Sequence, residues 1–137
     1  MFLSIVIPTL NSEKTLGECL AAIRAQTLPR SAYEIVVADA GSSDGTLAVA
    51  HEYGVDTIVA NPLKTGEAGK TAGIKAAKGD CIALIDSDNI LPGADWLVRM
   101  LAPFSDEDII ATEPIEYTCR TEDPLLIRYF ALLGMND

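Results

Sequence analysis

Val36-Val37-Ala38-Asp39-Ala40-Gly41-Ser42-Ser43-Asp44-Gly45-Thr46 is the stretch that decides the fold. An apolar β-branched run ends in one carboxylate, passes through a turn of small residues and opens a helix. Apolar residues in continuous rather than alternating order mark a strand covered on both faces, and such strands belong to parallel sheets crossed by helices. Asp39 closes the strand at its carboxyl end, the rim where ligands bind in open parallel sheets. There it can accept hydrogen bonds from a base or a ribose, while Gly41 and Ser42 let a ligand approach the backbone. Asp44 is placed to cap the helix that follows.

Outward from this unit the same alternation repeats. Residues 3–7 form an apolar run ended by Pro8, and Asn11 or Ser12 can cap a helix whose Leu16, Cys19, Leu20 and Ile23 share one face. Pro29 ends that helix. Strands are expected over residues 34–38, 57–60, 81–85 and 109–115, and helices over 46–53, 67–77 and 95–102, the last two stopped by Gly79 and Pro103. The pattern predicts an α/β Rossmann-like three-layer sandwich with a mainly parallel sheet. Its strands discharge Thr9 and Asn11, Asp39, Asn61, and Asp86 with Asp88 at one rim. For Thr9 and Asn61 taken singly, an ordinary polar loop residue explains the position equally well.

The chain has 137 residues, a length expected of one domain, with 10 Lys plus Arg against 20 Asp plus Glu and a net charge of −10. A sequence-independent nucleic-acid binder needs surplus cations, so nucleic acid is excluded as a partner, and anionic lipid headgroups repel such a chain. An anionic ligand must then be held locally, by a bridging cation or by backbone N–H groups. Cys19, Cys81 and Cys119 are odd in number and far apart, which indicates neither a disulfide framework nor a zinc site. A reducing cytosol is the expected compartment. No apolar run approaches the roughly 18 residues of a membrane span.

Asp86-Ser87-Asp88 sets two carboxylates at i and i+2 just past a buried strand. In extended geometry both side chains point the same way and reach one hard cation, Mg²⁺ or Mn²⁺, with positions left for water and phosphate oxygens. A turn-capping Asp before Pro92 is the plainer explanation of the pair. Thr65-Gly66-Glu67-Ala68-Gly69-Lys70-Thr71 offers a competing signal, the end of a phosphate-binding loop. That pattern demands Gly where Lys64 stands. Lys70 is either a solvated cation or one that sits beside a diphosphate.

Three segments in order resemble the family 2 glycosyltransferases of the GT-A fold. They are Ser4-Ile5-Val6-Ile7-Pro8-Thr9-Leu10-Asn11, the turn 38–46, and Ala76-Ala77-Lys78-Gly79-Asp80 through Asp86-Ser87-Asp88. The resemblance implies that Pro8, Thr9, Asn11 and Glu13 border a nucleotide and that Asp39 binds its base. It further implies that Asp86 lies near ribose and phosphate and that Asp88 coordinates Mn²⁺ or Mg²⁺. The expected donor is a nucleoside diphosphate sugar, with a UDP-sugar the first choice, and the expected acceptor is a saccharide or lipid-linked hydroxyl attacked with inversion.

The chain departs from the family pattern at Ala40, where a second acid is usual, and at Lys70-Thr71, where Arg-Asn is usual. No segment matches the family's general base, so the catalytic base is expected outside this chain and the domain is expected to be incomplete at its C-terminal end. Glu113 and Glu116 are better explained as surface acids. The cytosol, with peripheral attachment to the cytoplasmic face of a membrane, is the expected location. Residues 124–135 carry an apolar face of Leu125, Leu126, Tyr129, Phe130 and Leu133 and are expected to drive self-association. Two other classes stay open: a P-loop phosphotransferase dependent on Lys70, and a noncatalytic nucleotide-binding or assembly module.

Overall fold

In the computed structural model, which describes residues 1–114 together with Thr121 and Leu125, the apolar runs form four strands. These are β1 (Leu3–Thr9), β2 (Tyr33–Asp39), β3 (Thr57–Ala60) and β4 (Cys81–Leu84). Helices α1 (Glu13–Arg24), α2 (Thr46–Glu52) and α3 (Gly66–Ala76) connect them, and α4 (Trp96–Leu101) follows β4. All pairings are parallel, in the order β3-β2-β1-β4.

That order fixes the layers. Right-handed crossovers from β1 to β2 to β3 put α1 and α2 on one face, and the return from β3 to β4 puts α3 on the other. Accordingly α1 packs on α2, while α3 packs on β1, β2 and β3. The direction of winding reverses between β1 and β4, the switch point at which such sheets open a crevice.

The core lies on both faces of β1 and β2. Ile5, Ile7, Ile35, Val36 and Val37 are fully buried, as are Leu16, Leu20 and Ile23 of α1. Full burial of each large aliphatic side chain contributes about 1.5–3 kcal/mol. On the α3 side the contact is closer than side chains normally permit. A Cβ on Gly73 would overlap Val6 Cγ1, and one on Gly69 would stand 2.9 Å from Pro8 Cβ. These two glycines, one helical turn apart, let the α3 backbone lie directly on β1.

Several boundaries differ from expectation. β1 runs through Pro8 to Thr9, in register with Ala38 and Asp39. α1 stops at Arg24, before Pro29 is reached, with Ala25 as its cap. β4 ends at Leu84, although Ile85 N–H still donates to Val6 C=O at 3.1 Å, and beyond it Asn89 N–H turns back to Asp86 C=O at 3.0 Å. The fifth strand expected over 109–115 does not form across its described residues, 109–114. Ile110 is 92% exposed, so nothing covers the side chain that should anchor it, and Pro114 has no N–H to give a ladder. Instead Thr112 Oγ1 donates to Met100 C=O at 3.0 Å.

Met1–Val98 is one compact unit and Arg99–Asp137 a second. The first holds all four strands and the whole rim. Apart from Leu125, which is exposed, the segment 124–135 proposed for self-association lies outside the described residues, as does Glu116; Glu113 is exposed. Among the described residues no helix is long and apolar enough to cross a membrane.

Candidate functional site

Asp39, the last residue of β2, is buried and surrounded by donors. Its Oδ1 accepts from the Thr9 hydroxyl at 3.0 Å and the Ser42 hydroxyl at 2.6 Å. Its Oδ2 accepts from the amides of Gly41 and Ser42, each at 2.9 Å. A carboxylate offers about four lone-pair positions, and here all are taken. Burial pushes the carboxyl up, but the Ser42, Thr9 and Gly41 hydrogen bonds outweigh it and hold Asp39 below its ordinary 3.8. Gly41 closes this turn at φ +86°, a conformation that a side chain would strain.

The residues after β1 clamp the same turn from outside. Asn11, itself at φ 52°, receives the Ser43 amide on Oδ1 at 2.9 Å and gives its own amide to the Ser42 hydroxyl at 2.9 Å. Glu13 Oε2 accepts from Gly45 N–H at 3.1 Å, and Asp44 Oδ2 accepts from Glu13 N–H at 3.1 Å. The cap of α2 is Gly45 rather than the expected Asp44, which stands one residue earlier and takes the Thr46 amide on Oδ1 at 3.0 Å. The Thr46 hydroxyl holds Asp44 below 3.8. The sequence-expected pair Asn11 and Glu13 is thus spent on holding two loops together, and neither residue is among those lining the cavities beside them.

Two adjoining cavities open at the rim. The larger, about 330 Å³, lies between the ends of β2 and β3 against Asp39, Gly41, Leu47, Ile58, Asn61 and Lys64. The smaller, about 230 Å³, lies at the switch point against Pro8, Thr9, Asn61, Lys64, Gly66 and Asp86. Asp39 thus lines the larger cavity, and Pro8, Thr9 and Asp86 line the smaller. Asn61 and Lys64 border both cavities. Sequence alone puts Asn61 at the rim without a role, and reads Lys64 only as the residue that spoils a phosphate loop.

Beyond β4, residues 86–89 form a turn rather than an extended run, so strand alternation is not what orients Asp86 and Asp88. Both are exposed, and both carboxylates lie near Cys19. Burial first, then Asp88 and Asp86, push the Cys19 thiol up to about 12. Lys70 Nζ stands 3.8 Å from Asp86 Oδ1 and 3.4 Å from Glu67 Oε1. Partly exposed ion pairs of this kind contribute at most about 1 kcal/mol, so Lys70 is free to change partners. Among the described residues no group of three or more His, Cys, Asp or Glu side chains could enclose a metal. Two exposed carboxylates fit instead an ion held partly by protein and partly by phosphate and water, the habit of Mg²⁺ and Mn²⁺.

Lys70 lies in the second turn of α3, which begins at Gly66, and Gly69 is occupied by the contact with Pro8. A P-loop needs its lysine at the helix start with glycine amides facing the phosphates. The geometry gives that alternative no support.

The fold resembles that of solved enzymes. TarS of Staphylococcus aureus superposes with a TM-score of 0.68 at 29% identity, over 78% of this chain and 20% of that one. It has also been solved with UDP and with UDP-GlcNAc. The mannosyltransferase PcManGT of Pyrobaculum calidifontis, solved with GDP-Man and Mn²⁺, gives a TM-score of 0.63 at 27% identity over 73% of this chain and 32% of that one. A parallel sheet reversing at β1 and β4, with its polar rim at that reversal, is thereby of the GT-A glycosyltransferase class. Glycosyl transferase family 2 matches residues 4–131, and the chain belongs to that family. The glycosyltransferase AglE of Haloferax volcanii is 28% identical over 98% of this chain and 46% of its own length. The chain spans less than half of that relative.

Proposed function

We propose that the protein of which these residues form the donor-binding part transfers a sugar from a nucleoside diphosphate sugar to a hydroxyl, with inversion, and that UDP is the leaving group. The observation that carries this is the pair of joined cavities. One is apolar and suited to a base; the other leads to Asp86, Lys70 and Asp88, where charged groups belong. The TarS complexes with UDP and UDP-GlcNAc support the nucleotide part of the reading.

Each residue has a defined task. Asp39 holds the turn that walls the base cavity, with Thr9 and Ser42 as its donors. Pro8 and Thr9 floor the switch point beneath the ribose. Lys70 exchanges Glu67 or Asp86 for a phosphate oxygen. Asp88, with Asp86 beside it, holds Mn²⁺ or Mg²⁺, which when bound offsets the negative charge of the diphosphate. The acceptor is a saccharide or lipid-linked hydroxyl, and the base that deprotonates it comes from outside these residues.

Calorimetry with UDP and Mn²⁺ tests the proposal. Binding is expected for the native chain and should weaken at least about tenfold in Asp88→Ala, the loss expected of a metal ligand. Absence of UDP binding, or binding that Asp88→Ala leaves unchanged, overturns it.

A further inference from the structure

Ser12 occupies the cap position of α1, where its C=O accepts Leu16 N–H at 2.9 Å, yet its side chain makes no capping bond. A serine there ordinarily accepts an amide of the first helical turn. This one is buried, and its hydroxyl instead shares a hydrogen bond of 2.9 Å with the hydroxyl of Ser87. Ser87 stands between Asp86 and Asp88. Ser12 is itself held in place, because its amide N–H donates to the Thr46 hydroxyl at 2.7 Å.

The turn that carries the two acids lies past the end of the β4 ladder and leaves both carboxylates exposed. Strand pairing therefore does not fix it, and α1 does so through side chains. The Cys19 thiol, fully buried, donates to Asp86 C=O at 3.6 Å. Farther along, Gln26 donates from Nε2 to Gly93 C=O at 2.7 Å and accepts Leu97 N–H on Oε1 at 3.0 Å. Ser12, Cys19 and Gln26 follow one another at intervals of seven, about two helical turns each. One line along α1 thus bonds the segment after β4 at residues 86, 87, 93 and 97.

We propose that Ser12 is a positioning residue for the metal-binding turn: through Ser87 it fixes the backbone from which Asp86 and Asp88 project, with Cys19 as a second support. The inference rests on the donor-binding reading above and deepens it by naming what holds the metal ligands in place. Groups that stand behind metal ligands set their orientation before the ion arrives, and losing one weakens the metal by about tenfold or more. Ser12 lines neither cavity, so its hydroxyl acts on the metal turn and not on the nucleotide directly.

The experiment is calorimetry of UDP binding to the full chain, measured once with Mn²⁺ and once in EDTA. In Ser12→Ala the affinity with Mn²⁺ should fall about tenfold, while the affinity in EDTA stays that of the native chain. A merely structural loosening of the rim would lower both. Ser12→Thr, which keeps a hydroxyl, should bind as the native chain does. Ser87→Ala should reproduce the loss, and the double variant should lose no more than either single one, because the same bond is broken in all three. Unchanged affinity with Mn²⁺ in Ser12→Ala, equal losses with and without the metal, or additive losses in the double variant overturn the assignment while leaving donor binding intact. Failure of the native chain to bind UDP under either condition overturns the donor-binding reading as well. Should Ser12→Ala not fold, Ser87→Ala decides: native affinity with Mn²⁺ in that variant refutes the role.

Discussion

Asp39 carries a negative charge into a nearly closed ring of donors, and its pH dependence follows from that ring. A carboxyl held below its ordinary value stabilises the fold fully above the unfolded value and loses that contribution as pH falls through the folded one. The loss for Asp39 therefore begins near 3.8 and continues below it. In Asp39→Asn, a side-chain NH₂ group must face either the amides of Gly41 and Ser42 or the two hydroxyls. The expected cost is about 1–3 kcal/mol at neutral pH, from donors left unpaired. Urea titrations from pH 7 to pH 3 should show the difference between native and variant shrinking as acid is added; a constant gap contradicts the account. Asp39 itself is legible in the sequence as the acid that ends a strand. Its bond with Thr9 is not, because Thr9, though expected at the same rim, arrives from 30 positions away through the register of β1 on β2.

At the scale of elements, α3 shows how a helix of modest apolar content is held. Its buried positions include Gly69 and Gly73, which bring backbone rather than side chain onto the sheet. Gly73→Ala gains about 1 kcal/mol of helix propensity but drives a methyl group into Val6, and overpacking of that kind costs about 1–3 kcal/mol. Net destabilisation is expected by thermal or chemical melting. Gly66→Ala, with nothing within 4 Å of its added Cβ, should be neutral or slightly stabilising. If both variants melt alike, the close approach of α3 to β1 is wrong. Periodicity located this helix, yet its glycines read as a phosphate loop because sequence spacing cannot tell a glycine that faces a ligand from one that faces a strand. The fifth strand failed for a related reason. Ile109 and Ile110 look like a core run, but a strand requires a neighbour with free ladder groups, and a short apolar segment does not reveal whether one stands beside it.

For the molecule as a whole, a net charge of −10 must be reconciled with the proposed ligand, which is itself an anion. Lys64 and Lys70 are the cations at the rim, and Lys70 already faces two carboxylates. Nucleotide affinity should therefore depend on a divalent ion. Removing it with EDTA is expected to weaken UDP binding by at least about tenfold, and added NaCl should not restore it, since screening weakens repulsion without supplying a ligand for phosphate. Metal-independent binding measured by calorimetry would contradict this. The strands and their polar rim were foreseeable from apolar runs and terminal acids because both depend on local pattern, whereas the strand order β3-β2-β1-β4 depends on pairings distant in sequence. What joins the rim into a site, the clamp of Asn11 and Glu13 on residues 42–45, depends on two loops meeting across the sheet.

That clamp has a thermodynamic consequence. Residues 41–46 have the small, polar composition of a mobile surface loop, yet Gly41, Ser42, Ser43, Gly45 and Thr46 all give their amides to side-chain acceptors. The wall of the cavity that we assign to the base is thus preorganised. Its conformational entropy is surrendered during folding, and the nucleotide we propose would meet a rigid surface rather than one it must first order.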